Sequence, residues 1–268
     1  MKLIIACESD SASMNIRKNL LQEYEFTEKG GYLSFRDIAL MTIKDMHIYH
    51  DLADKDFERA TGIKPEFVVF ISKHSSEKAI ETITVHPIGN FDKATLGGRD
   101  FCVAPAEPFY MTETLSNMIG TGFRASFECT HHGPYLECPA FFAEIGSEEN
   151  AWNDPEKGRA VAISLMKAFL SERKNCIEAM AIGGGHYMPA PTEIIARKTV
   201  CFGHMVPNYH LKNYAKAIEV ISESNEVRCA YLDKKSIKKE GFDISEIRRE
   251  LAKRDITEID SRELPERQ

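Results

Sequence analysis

Along the chain, short apolar runs alternate with stretches in which apolar residues recur every three or four positions. The runs "KLIIAC" (2–7), "FVVFIS" (67–72), "TITVHP" (82–87), "FRASFECT" (123–130), "AFFAEIG" (140–146), "EAMAIG" (178–183), "TVCFGHM" (199–205) and "VRCAYL" (227–232) predict strands. Several are apolar at consecutive positions, as strands covered on both faces are. Ser13 can cap a helix with Ile16, Leu20 and Tyr24 on one stripe. Asp154 followed by Pro155 opens another, with Val161, Leu165 and Phe169 facing inward. Leu211, Tyr214, Ile218 and Ile221 mark a third, and "DISEIRRELAKRD" a short fourth of mixed charge. This alternation predicts an α/β fold: a mixed, mostly parallel central sheet covered by helices on both faces. The expected organisation is one domain over residues 1–268, with length enough for a small second lobe. Residues 86–110, rich in Gly and Pro, form a long irregular segment of the sort that carries function. The tail "SRELPERQ" is expected to fray.

Composition narrows the class. With 43% hydrophobic and 28% charged residues the chain is ordinary for a globular protein. No apolar run approaches the ~20 residues that a membrane helix needs. The N-terminal run lacks a long apolar leader and a small-residue cleavage site, so it reads as a buried first strand of a cytoplasmic protein. A net charge of −7 excludes a broad electrostatic grip on nucleic acid and leaves room only for a small basic footprint. Seven cysteines, an odd number without a CxxC pair, argue against a disulfide framework and a thiolate zinc ribbon. They are expected to be small buried hydrophobes.

Histidines carry the chemistry. His74, His86, His131, His132, His186 and His204 all fall at or just beyond predicted strand ends, where ligands gather in open α/β sheets. His47 and His50, among Asp45, Asp51 and Asp54, read as a solvated surface, and His210 as structural. Imidazoles with a carboxylate suit Zn²⁺, which takes three protein ligands and a water in catalytic sites. Glu137 and Glu144 are the leading carboxylates and Glu128 a weaker one; Glu144 would be a lone charge inside an apolar strand. There is no HExxH, and adjacent His131 and His132 would face opposite sides of a regular strand. Only an irregular backbone before Gly133-Pro134 lets both enter one pocket. Gly183, Gly184 and Gly185 precede His186, and their N–H groups could hold a phosphate or an oxyanion. Cys129 reads as a buried strand cysteine, and no GxSxG serine elbow is present.

Taken together, "ISKHSS" (71–76), "TVHPIGNFDKATLGG" (84–98), "THHGP" (130–134), "AEIGSEENAW" (143–152), "AIGGGHYMP" (181–189) and "CFGHM" (201–205) resemble the D-aminoacyl-tRNA deacylases of the archaeal and plant type. The resemblance spans nearly the whole chain. It implies a hydrolase that cleaves the ester between a D-amino acid and the 3′-terminal adenosine of tRNA, in translation quality control. It also implies two zinc ions per subunit and a phosphorylase/hydrolase-like α/β fold. Carried onto matching residues, it implies His131, His132 and His186 as metal ligands or general bases, with Glu144 as carboxylate partner. His74 and His204 would form the opposite wall or complete a second metal site. Gly183, Gly184 and Gly185 would hold the oxyanion or the terminal adenosine, and Lys73, Arg99 and Lys198 would meet the phosphates of the CCA end. Contacts that reject the L form are expected from the 86–110 loop. A metal-dependent peptidase or amidohydrolase, sharing the metal but not the tRNA, is the alternative. Monomer and small homo-oligomer are both compatible with the sequence.

Overall fold

The apolar runs do fold as strands. The computed structural model describes residues 1–76 and 80–267. In chain order the elements are β1 (Lys2–Cys7), α1 (Ser11–Glu23), β2 (Thr27–Lys29), β3 (Tyr32–Phe35), β4 (Ile38–Ile43), α2 (Ala53–Thr61), β5 (Phe67–Ser75), β6 (Thr82–Pro87), β7 (Gly89–Asn90), β8 (Cys102–Val103), α3 (Pro108–Ile119) and β9 (Ala125–Phe127). There follow β10 (Ala140–Ser147), α4 (Glu149–Trp152), α5 (Pro155–Leu170), β11 (Ile177–Ile182), α6 (Pro189–Ile195), β12 (Val200–Val206), α7 (Tyr214–Ser224), β13 (Cys229–Leu232), α8 (Lys234–Lys239), α9 (Ile244–Ala252) and β14 (Thr257–Ile259). Short 3-10 turns occupy His47–Tyr49 and Asn208–Asn213.

One sheet has the order β2-β3-β4-β1-β5-β10-β6-β9, and a second the order β12-β11-β13-β14. In the first, β1 runs parallel to β4 and β5, β5 to β10, and β6 to β9, whereas β6 and β10 are antiparallel. The second sheet is parallel throughout. The fold is therefore the mixed, helix-covered α/β arrangement that the alternation predicts. Strand alternation divides the first sheet's residues between two cores. Ile4, Ala6, Val69, Ile71, Phe141 and Ala143 pack toward α1, α3 and α5; Leu3, Ile5, Val68, Phe70 and Phe142 pack with Phe57 of α2. Toward the ends of β5 and β10 this second face turns polar, and there the histidines collect.

Several local expectations need correction. Asp10 rather than Ser13 caps α1, accepting the Ser13 N–H at 2.9 Å, while the Ser13 hydroxyl accepts the Cys7 N–H. His47 is fully buried, edge-on to Phe70 and Phe142, because its 3-10 turn drives the ring into the sheet face instead of toward solvent. Cys176 and Cys201 form a disulfide: parallel pairing of Ile177 with Val200 brings their Cα atoms to 6.0 Å. The tail is pinned as far as Arg267, since the N–H groups of Thr199 and Arg267 donate to Pro265 and Arg197 carbonyls. Among the described residues no helix is long and apolar enough to cross a membrane.

Candidate active site

Cross-strand register builds the site. Gly146 pairs with His74, Glu144 with Ser72 on one side and Thr84 on the other, and Phe142 with His86. Directly paired residues share a face, so Ser72, His74, Thr84, His86 and Glu144 form one polar patch. β9 joins it through Ser126, paired with Thr84, and two residues on Glu128 returns to that face. Gly146 has no side chain because a Cβ there would come within 2.8 Å of the His74 ring.

Beyond Glu128 the chain leaves the sheet. His132 takes φ of 43°, the left-handed region, and this kink turns both neighbouring imidazoles inward, their ring centroids 4.4 Å apart. The turn depends on glycine: a Cβ on Gly133 would lie 2.2 Å from Gly98 N and 2.7 Å from Ile48 O. The 86–110 segment thus packs its Gly97-Gly98 backbone against the His-His-Gly corner. His186, delivered by the loop after β11, closes the cluster.

Glu128 sits at its centre, fully buried. Its Oε2 lies 2.9 Å from His186 Nε2, 3.3 Å from His74 Nδ1 and 3.6 Å from His131 Nε2. Burial alone would raise its pKa, but the His186 hydrogen bond and the surrounding imidazoles hold it down at about 2. For His186, burial works downward, yet the Cys129 thiol and Glu128 together push it up to about 10. Glu144, equally buried, goes the other way: burial and the charge of Glu128 drive it well above the usual carboxylate range. Burial lowers His86 and His131 strongly and brings His132 to about 4, so these three are neutral bases.

Their orientation is specific. His86, His131 and His132 each place Nδ1 within 3.0 Å of a backbone carbonyl, those of Pro87, Cys129 and Gly133. Donation there leaves Nε2 as the free lone pair, the tautomer that metal-binding histidines adopt. Four groups of donor atoms converge within 4.8 Å: His86/His131/His132, Cys129/His131/His186, His74/Glu128/His186 and His86/Glu128/Glu144. Among them, His86 Nε2 and Glu128 Oε1 are buried without any hydrogen-bond partner, a cost that a cation would remove. The donor set fits zinc.

A family model for D-aminoacyl-tRNA deacylases matches residues 61–258. A D-aminoacyl-tRNA deacylase of Pyrococcus furiosus is 38% identical across 87% of this chain and 90% of its own length. The chain belongs to the D-aminoacyl-tRNA deacylase family. The Methanosarcina acetivorans deacylase is 33% identical over 98% of this chain and 94% of its own. A crystallised conserved protein of unknown function, AF0625, superposes with a TM-score of 0.87 at 29% identity, covering 98% of this chain and 96% of its own.

In this deacylase-family chain the structure gathers His74, His131, His132, His186 and Glu144, as listed by the motifs, and adds His86, Glu128 and Cys129. It does not bring in His204. That ring is buried beneath the site, Nδ1 at 3.1 Å from Thr130 Oγ1 and Nε2 at 3.0 Å from the Ala104 carbonyl, so neither nitrogen is free. Lys198 precedes β12, whose far end points toward the site, and it pairs with Glu266 instead. Glu137 is exposed and pairs with Lys55. Gly183 and Gly184 do adopt positive φ, but their N–H groups already donate to Val206 O and Asn208 Oδ1, leaving only Gly185 available among the three. Lys73 and Arg99 stay near the rim, over the Trp152 and Tyr135 rings respectively. The missed residues had a sequence signal: in "TITVHP" and "SFE", polar residues alternate with apolar ones, the mark of a strand with one polar face.

Proposed function

We propose that this cluster hydrolyses the ester of D-aminoacyl-tRNA, releasing free D-amino acid and tRNA. The observation that carries the reading is the convergence of five imidazoles and two buried carboxylates in a chain whose curated relatives bear that name. Two of the donor groups share no residue and are both typical catalytic zinc sets: His86/His131/His132 would hold one ion and His74/Glu128/His186 a second. Zinc bound there supplies a Lewis acid and lowers the pKa of water.

The protein groups around it have separable tasks. His86, His131 and His132, neutral at pH 7, are oriented by their carbonyl partners and do not reorganise during turnover. Glu144, protonated by its burial, sits 3.5 Å from His86 Nε2 and can donate or relay a proton without adding negative charge. His186, half-exposed, faces incoming substrate, with Tyr209 OH at 3.4 Å and Tyr187 bonded to His74 behind it. The 86–110 loop, packed on Gly133, forms the wall beside His132 where the α-carbon of the substrate would be read. An aminoacyl ester is already activated, so positioning contributes much of the rate. Lys73 and Arg99 at the rim suit the terminal phosphates of the CCA end.

The test is hydrolysis of D-tyrosyl-tRNA against L-tyrosyl-tRNA by zinc-loaded protein. Strong preference for the D ester is expected; equal turnover of both, or of neither, would overturn the reading.

A further inference from the structure

The chain is acidic overall, yet "KKSIKK", which forms α8, holds four lysines in six residues. Lys234 is neutralised by Glu258. Lys235, Lys238 and Lys239, spaced i, i+3 and i+4 and so on adjoining positions of one helical surface, are exposed and make no ion pair among the described residues. The contrast with α9 and the residues just after it is direct. Arg248, Arg249, Lys253 and Arg254 there each meet a glutamate.

Placement gives the free charges meaning. Buried Ile237 seats α8 beneath Gly183, where an added Cβ would come within 2.9 Å of its side chain. Ser236 exchanges hydrogen bonds with Asn208, whose Oδ1 accepts the Gly184 N–H. The next residue, Tyr209, extends its hydroxyl to Cys129 Sγ at 3.0 Å and His186 Nδ1 at 3.4 Å, while half of its ring stays in solvent. The lysine helix is therefore fastened to the same loops that carry the outermost histidine of the site.

We propose that Lys235, Lys238 and Lys239 form a docking surface for the phosphates of the tRNA acceptor end, holding the nucleic acid while its 3′ ester enters the histidine cluster. The inference rests on the tRNA reading above. Three unpaired ammonium groups on a short helix suit a phosphate backbone, which is bound as point charges and without sequence preference. The helix buries its isoleucine and offers no apolar face for insertion into a lipid surface.

The experiment compares the zinc-loaded wild type with the triple variant Lys235→Gln, Lys238→Gln, Lys239→Gln. Uncharged tRNA is titrated at 50 to 200 mM KCl, and KM is measured for D-tyrosyl-tRNA and for the small ester 3′-O-D-tyrosyl-adenosine. Three phosphate contacts, at a slope of roughly −0.7 each, account for about a twenty-fold loss of affinity across that salt range. The variant should lack that part of the salt dependence and show a raised KM for tRNA, with hydrolysis of the small ester unchanged. Identical salt slopes and KM values in the two proteins would overturn the proposal. So would an equal loss on both substrates, or a loss of binding to phosphatidylserine vesicles with tRNA binding intact. Because the titration uses uncharged tRNA, it reads the surface even in a protein that cleaved no ester, a result that would count against the proposed function alone.

Discussion

Replacing Glu128 by Gln keeps the shape of the side chain and removes the one charge on which His74, His131 and His186 converge. The carboxylate is held at about 2 in the folded protein, against an ordinary value of 4.5. Its pKa is depressed by folding, so its contribution is present above pH 4.5 and is lost as pH falls through 2. A difference of roughly 2.5 units at about 1.36 kcal/mol each corresponds to about 3 kcal/mol at neutral pH. His186 can shed its proton once the carboxylate is neutral, which makes that figure an upper bound on the loss. For a chain of this size each kcal/mol moves Tm by about 2–4 °C, so metal-free Glu128→Gln should melt about 6–12 °C below metal-free wild type at pH 7. The pKa of His186, about 10 in the wild type, should fall with it, because Glu128 is one of the groups holding it up. Circular dichroism melts of chelator-treated protein and a proton–carbon NMR titration of the His186 ring measure the two effects. An unchanged Tm together with an unshifted His186 would refute the assignment of Glu128 as the electrostatic centre.

Zinc uptake through His186 must expel the proton that Glu128 stabilises, so calorimetry in buffers of different ionisation enthalpy should show net proton release at pH 7, and none would contradict the paired state. His132→Ala should remove one ion by mass spectrometry and lower kcat strongly while the melting temperature of the metal-free protein changes little; a variant that keeps full metal content would exclude this nitrogen from the donor set. Buried His204 has its pKa lowered to about 4 from 6.5, so the unfolded chain takes up its proton first and stability falls by about 3 kcal/mol as pH drops from 6.5 toward 4. Denaturant unfolding across that range, compared with His204→Gln, should show the dependence flattened in the variant. Gly133→Ala would drive a Cβ into the backbone of Gly97, Gly98 and Ile48, and should cost about 1–3 kcal/mol or more along with zinc affinity; a variant with wild-type zinc binding would show that the corner yields.

Strand positions, the α5 start at Asp154-Pro155 and the α/β class were all legible in periodicity, because burial on both faces of a sheet writes continuous apolar runs into the chain. The β2–β4 hairpin and α2 were not, since their apolar residues are diluted by polar ones on exposed faces. The chemical class was legible too: imidazoles at strand ends beside glycines point to a metal or general-base site wherever they land. Which of those imidazoles meet was not. His204 and His186 look alike in the sequence, each directly after a glycine, yet one ring is locked between Thr130 and Ala104 and the other pairs with Glu128. His47 reads as surface among aspartates and is packed between phenylalanines.

Local sequence determines periodicity, turn capacity and the presence of titratable groups, for these depend on neighbours within a few residues. Convergence depends on strand register between β5, β6, β9 and β10 and on one left-handed residue at His132. A shift of register by a single residue would turn His74, His86 and Glu144 to the opposite face. Only the folded sheet makes that choice, and with it the charge of Glu128, the neutrality of Glu144 and the lone pairs left pointing inward.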